Sequence, residues 1–162
     1  MVDDDSLVSL IMSHDVITVT PDTQVTTAAR LMVKHGISSL PVVDDGELVG
    51  MITETDVISR EIELDVPAYG TFLDAVFRWP WDHTDDEVRR ITAVTVGQLM
   101  THPVYSLTTA ATVRDAATLL FERKITSAPV VDGDGVMIGI VSQADILQLV
   151  ANAAEDEPTD DA

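Results

Sequence analysis

Two short stretches carry the residue types best suited to chemistry: "GMITETD" (Gly50–Asp56) and "GIVSQAD" (Gly139–Asp145). Each runs from a glycine through an apolar pair to a hydroxyl residue, with an aspartate three positions later. Thr53-x-x-Asp56 and Ser142-x-x-Asp145 read as capping boxes, in which hydroxyl and carboxylate satisfy the free N–H groups of a starting helix. The same residues have a second capacity. A carboxylate accepts two hydrogen bonds from vicinal hydroxyls, and a helix N-terminus offers N–H donors and a positive dipole end to an anion.

Other candidates are weaker. "DGDG" (Asp132–Gly135) has the start of a calcium loop, but position twelve is Gln143 instead of Glu, and a hairpin turn explains it. His14 and His102 occupy matching places and read as structural. His83, in "WDHTDDE", sits in an acidic loop without the converging ligands zinc needs. The chain has no Gly-x-Ser-x-Gly, phosphate-loop lysine motif or His-Glu-x-x-His, and no cysteine for a nucleophile, disulfide or thiolate metal site. An enzyme is not expected.

The two stretches are parts of a longer duplication. At a constant offset of 88, Met12/Met100, His14/His102, Val25/Val113, Ala28/Ala116, Ala29/Ala117, Ile37/Ile125, Ser39/Ser127, Pro41/Pro129 and Asp44/Asp132 match. One extra residue in the second copy's turn moves the offset to 89 and aligns Gly46/Gly135, Gly50/Gly139 and Asp56/Asp145. Each copy reads as a short strand ("VITV", "VYSL"), then an amphipathic helix with Val25, Ala28, Ala29 and Met32, or Val113, Ala116, Ala117 and Leu120, on one face. An apolar strand ("SLPVV", "SAPVV"), an Asp/Gly turn and a second strand ("LVGMI", "MIGIV") form a hairpin. A closing helix starts at Thr53 or Ser142, with Val57, Ile58 and Ile62, or Ile146, Leu147 and Val150, expected to face inward. The unit is βαββα, twice: a mixed α/β fold. A unit of about 50 residues buries too little alone, so the two are expected to pack as one body.

The expected organisation is repeat 1 over residues 1–64, an insert over 65–95, repeat 2 over 96–151 and an acidic tail over 152–162. The insert matches neither copy and holds both tryptophans, so it reads as an ordered helical segment, not a Gly/Ser linker.

Composition sets further bounds. Asp and Glu total 28 against 9 basic residues, a formal charge of −19, and the lysines are Lys34 and Lys124. Such a surface repels phosphate backbones and anionic membranes, so neither nucleic acid nor membrane is an expected partner. Acid excess with scarce lysine resembles the proteins of salt-accumulating halophilic archaea. No apolar run approaches the roughly 18–20 residues of a membrane span, and the acidic start "MVDDDSL" differs from a secretory signal. A cytoplasmic protein is expected.

"ISSLPVVDDGELVGMITETDV" and "ITSAPVVDGDGVMIGIVSQADI", led by "LIMSHDVITV" and "QLMTHPVYSL", resemble the CBS domain, the module named after cystathionine β-synthase. The resemblance covers roughly residues 7–62 and 96–151 and implies a pseudo-twofold CBS pair with two clefts for adenosine-containing ligands: AMP, ADP, ATP, S-adenosylmethionine or NAD-type molecules. Carried over, Asp56 and Asp145 would accept hydrogen bonds from a ribose diol, and Thr53 and Ser142 would contact phosphate. Ile17, Thr18, Tyr105 and Ser106 would frame the base with backbone groups. Leu40, Pro41, Ala128 and Pro129 would form apolar walls, and Ser38, Ser39, Thr126 and Ser127 the rim. That rim lacks the Arg or His of members that hold polyphosphates tightly, which favours AMP or a cationic ligand such as S-adenosylmethionine over ATP. Tyr105 is placed to stack on a base and Arg123 to reach a phosphate. The resemblance further implies a homodimer through helix faces and a regulatory module acting on a separate effector protein, with no cofactor required. The alternative is a structural or interaction protein with vestigial clefts.

Overall fold

The computed structural model describes residues 4–63 and 94–155. The expected helical insert, including His83 and both tryptophans, therefore lies outside the described residues except for Val94 and Thr95, as do the acidic tail beyond Glu155 and the Ile62 side chain. Elements run in the order α1 (Val25–His35), β1 (Ser39–Asp44), β2 (Glu47–Thr53), α2 (Glu54–Glu63), α3 (Val96–Leu99), β3 (Leu107–Thr108), α4 (Val113–Arg123), β4 (Ser127–Val131), β5 (Met137–Ser142) and α5 (Gln143–Glu155).

The helices follow from local chemistry. In α1, Val25, Ala28 and Met32 recur on one face and are buried; α4 buries Val113, Ala116 and Leu120 at the same places. Thr112 caps α4 with Asp115 in a reciprocal box. Both helices end on a left-handed residue that turns the chain into the next strand, Gly36 (φ 64°) in the first copy and Lys124 (φ 54°) in the second. Glycine takes this conformation without steric cost, whereas lysine does not.

The two-residue turn Asp45–Gly46, both at positive φ, joins β1 to β2 in a two-stranded sheet. In the second copy β4 and β5 pair antiparallel from Ser127↔Ser142 to Val131↔Met137, and β3 joins β4 in parallel. Asp132 organises the intervening turn, its Oδ1 accepting from the N–H groups of Asp134 (3.0 Å) and Val136 (2.9 Å). That use of the carboxylate accounts for "DGDG" without a metal.

The opening strands are shorter than expected. "VITV" reduces to one parallel bridge, Val19↔Val42, and "VYSL" to a two-residue strand beginning at its last residue, Leu107↔Val130. Proline explains the truncation. Pro41 and Pro129 have no N–H to give, so each ladder uses the carbonyl of Pro41 (Val19 N–H, 3.1 Å) or starts just past Pro129.

Residues divide into two compact units that do not follow the order of the repeats. Among the described residues, one takes in 4–17, 46–48 and 104–155, and the other 18–45, 49–63 and 94–103. The segment leading the first repeat thus belongs to the unit built on the second, and the converse. In the second-repeat unit, Val8 donates to the Ala111 carbonyl (2.9 Å), Val113 to that of Ser6 (2.9 Å), and Ser13 exchanges two bonds with Ile140 on β5 (2.9 and 3.0 Å). In the first-repeat unit, Val96 donates to the Thr23 carbonyl (2.8 Å), Gly97 to that of Pro21 (2.9 Å), and Thr101 exchanges two bonds with Met51 on β2 (2.8 and 3.1 Å). Ser13 and Thr101 are duplicated partners, and each covers the outer edge of a hairpin from the other repeat.

The swapped segments also supply core. Val8 packs with Met12, Leu107, Ala116, Leu120, Ala128, Val130 and Val141, and Val96 is fully buried in the first-repeat unit. Burying such a valine contributes about 1.5–3 kcal/mol. These segments explain the repeated glycines. A Cβ on Gly50 would lie 2.5 Å from Met100 Sδ, and one on Gly139 2.6 Å from Met12 Sδ and 3.0 Å from the Ser13 carbonyl oxygen.

The closing helices depart from one expectation. Val57 is buried and Ile146 packs on the core, but Ile58 is 59% exposed, Leu147 68% and Val150 61%. Each helix has a narrow buried stripe, and Ile58 and Leu147 lie about 100° round from the residues that fill it. Among the described residues, no helix is long and apolar enough to cross a membrane.

Candidate functional site

The hydroxyl–aspartate pairs adopt the same geometry in both copies. Thr53 donates its N–H and its hydroxyl to Asp56 Oδ2, both at 2.8 Å, and the Asp56 N–H returns to Thr53 Oγ1 at 3.2 Å. Ser142 and Asp145 repeat this at 2.7, 2.7 and 3.3 Å. Thr112 and Asp115, at the exposed start of α4, form the same box at 2.9, 2.9 and 3.2 Å. The third case identifies the box as a helix-starting device. It also shows which atoms remain for another role, because the cap uses Oδ2 of each aspartate and leaves Oδ1 outside. The hydroxyl protons of Thr53 and Ser142 point to carboxylate, so an anion at these helix starts would meet N–H groups first.

What separates α2 and α5 from α4 is their surroundings. The N–H of Glu54, first in α2, donates to the Ser38 carbonyl (2.9 Å), and that of Gln143, first in α5, to the Thr126 carbonyl (2.9 Å). These bonds tie each helix start to the entry of β1 or β4. The Gln143 amide adds a bond to the Ile125 carbonyl (3.1 Å). The N–H groups of Thr55 and Ala144, second in each helix, have no hydrogen-bond partner among the described residues. Each is a donor at the positive end of a helix dipole.

The other expected site residues fall into two groups. Ile17 and Thr18, and Tyr105 and Ser106, lie just before the Val19 and Leu107 pairings, outside those ladders. Their backbone groups are therefore not spent on β1 or β4. Ser38 is half-buried and Thr126 exposed at the strand entries, followed by the buried Ser39 and Ser127. Leu40, Pro41, Ala128 and Pro129, expected as cleft walls, are buried, with Leu40 and Ala128 at zero exposure. Both faces of β1 and β4 are covered over these residues, so their side chains are core.

Arg123, on the last turn of α4, lies over the Tyr105 ring with its guanidinium carbon 4.6 Å from the centroid. The tyrosine face expected to stack on a base is thus occupied by a cation. Glu54 and Gln143 were not anticipated. Their place one residue after each cap is the signal that marks them. Among the described residues, no three metal-ligating side chains converge.

The repeated βαββ order, paired caps and tied helix starts define a tandem-repeat architecture of two α/β modules. Residues 6–63 and 96–152 match the CBS domain model, and the chain belongs to the CBS domain family as a tandem pair. It is 30% identical over 93% of its length to an uncharacterized protein of Methanocaldococcus jannaschii, and 32% identical over 80% to the chloroplastic CBS domain-containing protein CBSX2 of Arabidopsis thaliana. The chain spans 49% and 56% of these curated relatives, about half their length. Among solved structures it resembles CBSX2 in complex with AMP, with a TM-score of 0.69 at 27% identity over 92% of this chain and 98% of that one. It also resembles a CBS domain pair in complex with 5′-methylthioadenosine and S-adenosyl-L-methionine, with a TM-score of 0.67 at 27% identity over 91% and 98%.

Proposed function

We propose that this protein is a regulatory module that binds an adenosine-containing ligand beside the starts of α2 and α5 and modulates a partner protein. The reading is carried by one observation: in both copies Asp56 and Asp145, each with Oδ1 outside the cap, stand beside unpaired helix N–H donors, and two similar solved structures are complexes with AMP or with 5′-methylthioadenosine and S-adenosyl-L-methionine. The Oδ1 atoms accept from the ribose diol, and the N–H groups of Thr55 and Ala144, beside the caps Thr53 and Ser142, receive phosphate. Backbone groups of Ile17, Thr18, Tyr105 and Ser106 frame the base, and Ser38, Ser39, Thr126 and Ser127 border it.

Regulation requires that the ligand bind two conformations unequally. The exposed Ile58 on α2, and Leu147 and Val150 on α5, favour pairing of helix faces with a second copy. The acidic surface suits a salt-rich cytoplasm. A second reading, an interaction protein with vestigial clefts, draws on the Thr112–Asp115 box, which shows the same hydroxyl–aspartate geometry acting as a cap alone.

A thermal-shift panel in molar potassium chloride with AMP, ADP, ATP with magnesium, S-adenosylmethionine and NADH separates the two. Sensing requires a ligand-specific rise in melting temperature that is lost in Asp56→Ala or Asp145→Ala, since a ligand bound by the folded state alone stabilises it. A melt that no compound moves favours the interaction protein.

A further inference from the structure

The two helix starts share a geometry and differ in charge. In the first turn of α2, Glu54 and Asp56 are both acidic, whereas the first turn of α5 carries Asp145 alone, with neutral Gln143 in the place of Glu54. A carboxylate at the first helical position already compensates the positive end of the dipole that would otherwise draw a phosphate. At α5 that end keeps one acidic group fewer, and the Gln143 amide is held on the Ile125 carbonyl.

The cations differ too. Arg123 closes α4 two residues before that Ile125 carbonyl and rests on Tyr105, two residues before Leu107 enters the β3–β4 pairing. Tyr105, Arg123, Thr126, Gln143 and Asp145 thus gather around the entry of β4 within one unit. The first copy has Ile17 where Tyr105 stands and His35 where Arg123 stands, so it has neither the ring nor the guanidinium. The neighbours of Arg123 are Glu122 and Lys124, and that of His35 is Lys34, so the helix ends differ chiefly in the fixed cation parked on an aromatic face. A guanidinium on an exposed ring is held weakly enough to exchange that contact for a charge-assisted bond to phosphate, and the exchange bares the ring for stacking.

We infer that the two sites are not equivalent: the α5 site selects phosphate-bearing adenosine ligands through Arg123 and Tyr105, and the α2 site selects neutral or cationic ones because of Glu54. This inference rests on the ligand-binding reading above and adds a ligand class to each site.

The test is equilibrium binding of AMP, adenosine and S-adenosylmethionine to the full chain at fixed high potassium chloride, in variants that retain one site. In Asp56→Ala, which leaves the α5 site, AMP is expected to bind roughly five- to tenfold tighter than adenosine, with Arg123→Gln removing that preference. In Asp145→Ala, which leaves the α2 site, adenosine and S-adenosylmethionine are expected to bind tighter than AMP, and Glu54→Gln restores AMP. If either alanine variant fails to fold, Arg123→Gln and Glu54→Gln in the parent chain serve instead: the first lowers the ratio of AMP to adenosine affinity and the second raises it. Equal AMP-to-adenosine ratios at the two sites, or an AMP affinity indifferent to Arg123 and Glu54, overturn the inference and leave sensing intact. Failure of all three compounds to bind the parent chain overturns both.

Discussion

Adding a single methyl group at Gly139 tests how the swapped segments hold the fold. Where glycine in a strand has open space, alanine stabilises by about 0.4–1 kcal/mol, because it reduces the entropy of the unfolded chain. At Gly139 the new carbon would lie 2.6 Å from Met12 Sδ, 3.0 Å from Met12 Cγ and 3.0 Å from the Ser13 carbonyl oxygen. Relaxed contacts of this kind need about 3.5–4.0 Å, so the leading segment must retreat by roughly an ångström. Met12 is 8% exposed and walled in by core neighbours, and the Ser13 carbonyl is bonded to the Ile140 N–H at 3.0 Å. Overpacking costs about 1–3 kcal/mol, and loosening that bond adds about 1 kcal/mol. Gly139→Ala is therefore expected to destabilise by about 2–4 kcal/mol, a fall of roughly 4–16 °C in melting temperature for a chain of this size. At Gly50 the atoms met all belong to the Met100 side chain, which can swing, so Gly50→Ala is expected to cost less, about 1–2 kcal/mol. Met12→Ala alone removes a buried side chain, at about 2–5 kcal/mol. The alanine methyl and the methionine compete for the same space, so Gly139→Ala with Met12→Ala should cost at least about 1 kcal/mol less than the sum. Denaturant melts of the four proteins at molar potassium chloride provide the cycle. Additivity within about 0.5 kcal/mol, or a stabilising Gly139→Ala, would refute the close approach.

Three further outcomes are expected. Lys124→Gly should stabilise by about 1 kcal/mol, since the lysine sits at φ 54° where the first copy has Gly36, and Gly36→Ala should lose a similar amount in a thermal melt. The Thr112 backbone N–H and then its hydroxyl hold Asp115 below its ordinary pKa of 3.8. A lowered folded-state value stabilises above the unfolded value and is lost as pH falls through the folded one, so the melting-temperature gap between parent and Asp115→Asn should be full at neutral pH and close progressively below pH 3.8. Potassium chloride should raise the melting temperature and at first strengthen AMP binding, because the −19 charge repels itself and the nucleotide until the Debye length falls to about 3 Å at 1 M. A steady weakening of AMP binding from low salt upward would contradict this.

Much of each repeat was legible in the sequence because the signals were local. The Val25–Ala28–Met32 stripe, the Asp45–Gly46 turn and the hydroxyl–aspartate boxes depend on residues within a few positions of one another. The exchange of leading segments was not legible, since self-similarity aligns copies along the chain and is blind to which copy a segment joins in space. Val8 and Val96 consequently carry no local signal as core residues, and Gly50 and Gly139 give no hint that a methionine from the other repeat fills the space of their missing Cβ. The shortness of the opening strands was not legible: Pro41 and Pro129 each withhold one N–H from a ladder, but residue type alone does not say how little ladder follows. At the candidate site, the sequence marked Asp56 and Asp145, yet a pattern of types could not say that one carboxylate oxygen is spent on the cap, or that Arg123 already lies on Tyr105.

The central claim is that Asp56 and Asp145 bind ligand as well as cap helices, and the third box supplies the control. Calorimetric titration of AMP into the parent chain and into Asp56→Ala, Asp145→Ala and Asp115→Ala separates the two roles. All three variants lose the carboxylate half of a capping box and keep its Thr or Ser N-cap. AMP binding is expected in the parent, unchanged in Asp115→Ala, and lost chiefly in Asp145→Ala, with a smaller loss in Asp56→Ala at the acidic α2 site. Equal AMP binding in all four proteins, or none in the parent, would contradict the account.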